Sequence, residues 1–300
     1  MTAVTMTIEQ SDGAHRLGPG DRFALIAGSG RLPLSVAEGL AKAGTPPFVL
    51  IVGGQGVDPE AYAAYEHQTR TLEEIGDLVA FLKSRGVTHV VMAGGIAGRP
   101  EIRKIKWRVG LLAFLPKLFF ALMTGDNALL STLVRHLEQR GLKVVGAHTI
   151  LPDLLAQPGV MTRTKPKTSD QRDIAAAHEA ALAIGRLDIG QAAIAIGGRA
   201  VALEGVEGTD GLLERTIGLR NNGRIAAKKR GVLVKCTKPG QELRADLPTI
   251  GPRTIEDAHK AGLSGVAVEA GRAFVLEFGK TIELADSLGL FIVGLKDKRP

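Results

Sequence analysis

One repeated pattern constrains the fold more than any other feature of the chain. A short apolar run ends in glycine, and a stretch of helical periodicity follows. Phe23–Ala27 ends in Gly28-Ser29-Gly30 and leads to a helical pattern from about Leu34 to Lys42, stopped by Gly44. Phe48–Val52 ends in Gly53-Gly54, Leu72–Ser84 is helical with Gly86 behind it, and His89–Ala93 ends in Gly94-Gly95. Ala128–Arg140 is a helix closed by Gly141, and Lys143–Val145 opens a fourth strand. Strands apolar at consecutive positions are covered on both faces, and helices between them make the parallel crossovers. Glycine at each helix end supplies the left-handed stop. The pattern predicts a Rossmann-like parallel-sheet domain over residues 21–150.

The texture then changes. Residues 151–168 hold Pro152, Pro158 and Pro166 with Arg163, Lys165 and Lys167, a composition that suits a linker. A helix is predicted from Ser169, as N-cap, to about Leu187. Ala192–Ile196 and Arg199–Leu203 flank Gly197-Gly198 as a hairpin. Leu212–Leu219 and Thr254–Ala261 read as helices, and Val232–Lys235 reads as a strand. Val266–Glu269 and Ala273–Phe278 flank a second expected hairpin at Ala270-Gly271-Arg272. A helix near Thr281–Leu288 and a strand at Leu290–Val293 close the chain. Residues 169–300 are therefore expected to form a smaller mixed α/β domain. At 300 residues, two domains also fit the chain length.

Composition narrows the partners. Aromatic residues make up only 4% of the chain, which argues against a base-stacking nucleic-acid platform. A net charge of +7 favours anionic partners. With Cys236 alone, a disulfide within the chain is impossible and a cysteine-based zinc site is excluded, which fits a reducing compartment. Residues 1–20 lack the apolar core of a signal peptide and read as a flexible extension. No run is long and apolar enough for a transmembrane helix.

The chemistry-bearing stretch is 199–254. It interleaves Glu204, Glu207, Asp210 and Asp246 with Lys235, Lys238 and Arg244. Acids able to hold a divalent metal beside bases able to hold phosphate suit reactions of a phosphate ester or anhydride. Each residue also has a plainer reading. Thr209 or Asp210 caps the following helix, Glu204 and Glu207 are solvated, and Asp246 pairs with Arg244 to hold a loop. Gly28-Ser29-Gly30 either faces a phosphate with its amides or serves only a tight turn, and Pro33 stands where a dinucleotide fingerprint has its third glycine. Ile102–Met123, with Lys104, Lys106, Trp107 and Arg108 before an apolar run at 111–122, reads as an interfacial element or as a buried helix with a cationic collar. Asp126 is an ordinary helix cap or a substrate neighbour. His148, at a strand end, is a structural residue or a ligand contact.

Seven motifs in order give the chain a family likeness. They are Ile26-Ala-Gly-Ser-Gly-Arg-Leu-Pro33, Ala93-Gly-Gly-Ile-Ala-Gly-Arg-Pro100, Gly125-Asp-Asn-Ala-Leu-Leu130, Gly146-Ala-His148, Gly185-Arg-Leu-Asp-Ile-Gly-Gln191, Glu207-Gly-Thr-Asp210 and Lys238-Pro-Gly-Gln-Glu-Leu-Arg-Ala-Asp-Leu-Pro-Thr-Ile-Gly251. Over about residues 22–296 the chain resembles the LpxI-type UDP-2,3-diacylglucosamine pyrophosphatases of lipid A biosynthesis. The resemblance implies cytoplasmic hydrolysis of UDP-2,3-diacylglucosamine to UMP and 2,3-diacylglucosamine 1-phosphate (lipid X), with Mg²⁺ or another divalent metal. It also implies a Rossmann-like amino-terminal domain, a distinct carboxy-terminal domain, and homodimers with exchanged domains. A lipid-linked UDP-sugar substrate suggests peripheral contact with the cytoplasmic face of the inner membrane. Asp246 matches the aspartate most tied to catalysis in this family. Asp210 is a second catalytic candidate, and Glu207 and Glu204 join these two as candidate metal partners. Thr209, Lys235, Lys238 and Arg244 are candidate substrate contacts, as are Gly28, Ser29 and Gly30. Two rival readings remain: a nicotinamide-dependent oxidoreductase, and a non-enzymatic lipid or nucleotide sensor.

Overall fold

The computed structural model describes residues 7–10, 13–16, 20–96, 125–225 and 230–296. The chain divides into two compact units. One comprises Met1–Pro152 with Glu242–Asp246, and the other comprises Asp153–Gln241 with Leu247–Pro300. The short segment Glu242–Asp246, which carries the Arg-x-Asp motif, thus belongs with the first unit although it lies deep in the second half of the sequence.

In the first unit, strands β1 (Thr7–Gln10) and β2 (Gly13–Arg16) form an antiparallel pair within the extension. The main sheet is built from β3 (Phe23–Ala27), β4 (Phe48–Val52), β5 (His67–Arg70), β6 (His89–Ala93) and β7 (Lys143–Val145). Its order is β5-β4-β3-β6-β7 and every pairing is parallel. This is the Rossmann order, in which the chain reverses direction across the sheet between β3 and β6. Helices α1 (Leu32–Lys42), α2 (Leu78–Ser84) and α3 (Asp126–Gln139) supply described crossovers, and the short α4 (Ala147–Ile150) follows β7. Strands β3, β4 and β6 are buried at every position, as their apolar runs require. Their core includes Ile26, Leu50, Leu82, Val90, Val134 and Leu137. The sequence expects one helix over Leu72–Ser84. Its first part is instead a 3₁₀ turn at Leu72–Asp77, and the α-helix begins at Leu78.

In the second unit, β8 (Gly159–Val160), β9 (Ala192–Ile196), β10 (Arg199–Leu203), β11 (Val232–Lys235), β13 (Gly265–Glu269) and β15 (Phe291–Leu295) form a mixed sheet ordered β10-β9-β11-β13-β15-β8. Strands β11, β13 and β15 run parallel, and the β9–β10 hairpin is present as expected. The expected hairpin at Ala270-Gly271-Arg272 is not. Strand β13 is occupied on both edges by β11 and β15, and β14 (Phe274–Val275) pairs in parallel with β12 (Thr249–Ile250). Helix α5 (Thr168–Arg186) covers one face of the sheet. Helices α6 (Gly208–Asn221), α7 (Pro252–Lys260) and α8 (Phe278–Ser287) contribute to a core with the alternate side chains. Thus Val232, Val234 and Ala267 pack with α5, while Leu233, Val266 and Val268 join the other cluster. That division is the period-two alternation of a strand. Helix α7 starts two residues before its expected first residue. Pro252 occupies the first turn, and Thr254 accepts a hydrogen bond through Oγ1 from the Gly251 amide at 3.4 Å.

Candidate active site

The Arg244-Ala245-Asp246 loop is one turn of chain with unusually firm support. The Glu242 carbonyl accepts from the amides of Ala245 and Asp246, at 3.0 and 3.1 Å. Asn127, in the first turn of α3, accepts the Glu242 amide on Oδ1 at 2.9 Å. Arg244 meets Glu242 with two parallel hydrogen bonds, Nε to Oε1 at 2.8 Å and Nη2 to Oε2 at 2.9 Å. Its Nη1 reaches Glu138, near the end of α3, at 2.6 Å. A guanidinium held by two carboxylates cannot swing freely, because its planar fork matches both at once. The Arg244 hydrogen bonds hold the Glu242 carboxyl below the usual carboxylate range, and the arginine is itself stabilised as a cation. Ala245 packs on the core of the parallel sheet. Asp246, half-buried, is thereby presented by a fixed turn.

His148 stands beside this loop. Burial pushes its imidazole below the ordinary histidine value of 6.5, while the Leu243 carbonyl acts weakly in the opposite sense. Its Nδ1 is shielded and makes no hydrogen bond. The ring lies so close to Gly146 that a Cβ there would fall 2.2 Å from His148 Cε1, so a side chain at that position would displace the imidazole. Sequence reasoning left His148 open between two roles and gave none to Glu242, Asn127 or Glu138. Asn127 and His148 lie in the Gly125-Asp-Asn and Gly146-Ala-His motifs and Glu242 in the Lys238–Gly251 motif, but nothing local links the first two to the third, and Glu138 lies in none of the seven.

The other expected residues have partners of their own. Glu204 is buried, and both its carboxylate oxygens accept protein donors, Thr209 Oγ1 and the Gln191 amide, each at 2.6 Å. Glu207 pairs with Arg215 at 2.6 Å, and its carboxyl is held low first by its own backbone amide and then by Arg215. Asp210, in the first turn of α6, pairs with Arg253 at 3.0 Å, both largely exposed. The structure brings Glu204 and Thr209 together and gives Glu207 and Asp210 separate arginine partners. Lys235 is buried and donates to the Thr249 carbonyl at 3.1 Å, and Lys238 pairs with Asp188 at 2.6 Å.

Gly28, Ser29 and Gly30 lie where the sheet order reverses, the position at which open α/β sheets bind ligands. There the two loops that follow β3 and β6 are clasped together. Gly28 donates to Ala93 O at 2.9 Å, Ser29 donates to Gly95 O at 2.8 Å, and Gly95 returns a bond to Ser29 O at 3.0 Å. The amides of Gly28 and Ser29 are therefore spent within the fold, and the expectation that they face a phosphate is not met by those two donors. A Cβ at Gly28 would lie 2.4 Å from Gly95 O, so the clasp itself demands the glycine. The whole of Ile102–Met123, with its run at 111–122, lies outside the described residues, as does the side chain of Asp126.

Taken together, the Rossmann-order sheet, the second mixed α/β unit and a carboxylate on a rigid turn define a two-unit α/β protein with an oxygen-rich, cation-braced candidate site. Residues 22–154 match the LpxI N-terminal domain, and residues 157–293 match the LpxI C-terminal domain. The chain is 37% identical over 275 residues to the UDP-2,3-diacylglucosamine pyrophosphatase LpxI of Caulobacter vibrioides, covering 91% of this chain and 97% of that one. The chain belongs to the LpxI family. It is also similar to the solved structure of CobK precorrin-6A reductase, at 13% identity over 93% of this chain and 89% of that chain, with a TM-score of 0.30, a likeness too slight to argue from.

Proposed function

We propose that this protein hydrolyses the pyrophosphate of UDP-2,3-diacylglucosamine, releasing UMP and 2,3-diacylglucosamine 1-phosphate. The observation that carries this reading is the near full-length match, at 37% identity, to an enzyme named for that substrate. The braced loop at Asp246 supports it. Water adds to phosphorus and the bridging P–O bond breaks, so negative charge grows on the phosphate oxygens. A carboxylate fixed in place serves that step by holding a cation against the charge or by orienting the attacking water, without reorganising.

The donor chemistry fits a hard divalent cation. Asp246 is an oxygen donor on a fixed turn, and Mg²⁺ needs only one or two carboxylates beside water and substrate phosphate. Asp246 would hold the ion or orient the attacking water, and the ion when bound supplies Lewis-acid stabilisation of the phosphate charge. Glu207 and Asp210 remain candidate partners and would first have to leave their arginines. Asp210 stays the second catalytic candidate on the same terms. Glu204 serves by holding Thr209 and the Gln191 amide. Arg244 acts as a positioning residue for Asp246. Lys235, Lys238 and Thr209 are proposed substrate contacts, as are Gly28, Ser29 and Gly30 through their place at the reversal of the sheet. The enzyme is proposed to work as a homodimer with exchanged domains at the cytoplasmic face of the inner membrane.

The test is incubation of purified protein with UDP-2,3-diacylglucosamine, with Mg²⁺ or with a chelator. UMP release that Mg²⁺ supports and the chelator abolishes is expected. No UMP under either condition would refute the activity, and undiminished release under chelation would refute the metal.

A further inference from the structure

We propose that His178, Cys236 and Glu269 form a binding site for a borderline-soft transition-metal ion, and that zinc is the ion it suits. Among the described residues, this is the only group of three or more His, Cys, Asp or Glu side chains whose ligand atoms all lie within 4.8 Å of one another. None of the three is among the residues proposed for Mg²⁺. A single cysteine excludes a site built from several cysteines, and a mixed His, Cys and Glu donor set is a different case.

The fold makes the cluster by simple periodicities. Strands β11 and β13 are parallel, and Lys235 stands opposite Val268. The next residues, Cys236 and Glu269, are therefore neighbours at the carboxyl ends of adjacent strands. Alternation turns Cys236 to the same side as Val232 and Val234, the face that α5 covers. On α5, Ile174, Ala177 and Ala181 form the apolar stripe, and His178 falls within that stripe by helical spacing. The imidazole is thus delivered over the two strand ends.

The local chemistry is that of a site prepared for an ion. Glu269 is almost fully buried, and its Oε2 accepts from the Thr237 amide at 2.8 Å and from Thr237 Oγ1 at 2.6 Å. Those bonds fix the carboxylate and leave Oε1 3.7 Å from His178 Nε2. That is beyond hydrogen-bond reach. Yet Nε2 is fully shielded and has no hydrogen-bond partner, the state a buried ring nitrogen avoids. Nitrogen and oxygen ligands of a tetrahedral zinc site, with bonds of about 2.0–2.2 Å, are about 3.3–3.5 Å apart, so His178 and Glu269 stand within a few tenths of an ångström of that spacing. Thiol and imidazole donors select zinc over magnesium, which prefers oxygen. The thiol gives up its proton to solvent as the metal–sulfur bond forms. Three protein ligands leave the fourth position of a tetrahedral ion to water or another donor.

The test uses the full chain stripped by chelator and titrated with Co²⁺ as a spectroscopic stand-in. One equivalent is expected to bind with a thiolate-to-cobalt charge-transfer band. Zn²⁺ should displace it, and excess Mg²⁺ should not. Cys236→Ala should lose the band, and His178→Gln should weaken Zn²⁺ binding by about tenfold or more. Cobalt binding without a thiolate band, or equal zinc affinity in wild type and both variants, would overturn the site. If Cys236→Ala fails to fold, alkylation of Cys236 decides. Zinc should slow it in the wild type and not in His178→Gln, and equal rates with and without zinc in the wild type would refute the proposal.

Discussion

Asp246 can act only if its turn holds still, and Arg244 is what holds it. Replacing Arg244 by lysine keeps the charge and loses the fork that meets Glu242 and Glu138 together. We expect Arg244→Lys to lower kcat by about tenfold or more while the thermal midpoint moves by only a few degrees, since partly exposed ion pairs contribute ~1 kcal/mol or less. A kcat equal to wild type would remove Arg244 as a positioning residue. His148 carries a second prediction. Its folded pKa lies below 6.5, so the unfolded chain binds the proton more readily. The stability this neutral ring contributes is complete above 6.5 and is lost as pH falls through the lower folded value. Thermal midpoints of wild type should therefore fall more steeply on acidification below 6.5 than those of His148→Asn. Parallel curves would show that the ring is not held neutral by burial.

Among the elements, the clasp between the loops after β3 and β6 is the most demanding. Gly28→Ala places a methyl group 2.4 Å from the Gly95 carbonyl, where only backbone could yield. We expect a loss of about 1–3 kcal/mol, read as a lower urea midpoint with an unchanged slope. An unshifted midpoint would mean that the loops separate without penalty. These elements also show what sequence makes legible. Strands β3, β4 and β6 announce themselves because they are buried on both faces and so read as unbroken apolar runs. Strand β5, His67-Gln-Thr-Arg70, is an edge strand with no apolar residue, and nothing in its composition marks it. The segment Val266–Phe278 looks like a hairpin because Gly271 turns the chain. Pairing partners more distant in sequence take both edges of β13, and no local signal records that.

For the molecule as a whole, the two-part division is visible from the change of texture after residue 150, but not the return of Glu242–Asp246 to the first unit. A linear reading assigns that loop to the domain that surrounds it in sequence. The partners that fix it, Asn127 and Glu138, stand 115 and 106 positions away. The same limit hid the His178–Cys236–Glu269 cluster, which draws on a helix and two strand ends. The acids from 204 to 210 were easy to notice because they are close in sequence. The structure gives Glu204 protein donors on both oxygens and pairs Glu207 and Asp210 with arginines. The proposed homodimer predicts a solution mass of twice the 31.6 kDa chain by light scattering. A monomer mass at enzyme concentrations that support turnover would refute the dimer.

The central claim is that Asp246, on its braced turn, serves the hydrolysis of the UDP-linked lipid. Single-turnover cleavage of UDP-2,3-diacylglucosamine by wild type and Asp246→Ala, with substrate binding measured on the same samples, tests it most directly. The account predicts a rate about 100-fold lower or worse in the variant with substrate affinity retained. Wild-type cleavage by Asp246→Ala in the presence of Mg²⁺ would contradict it.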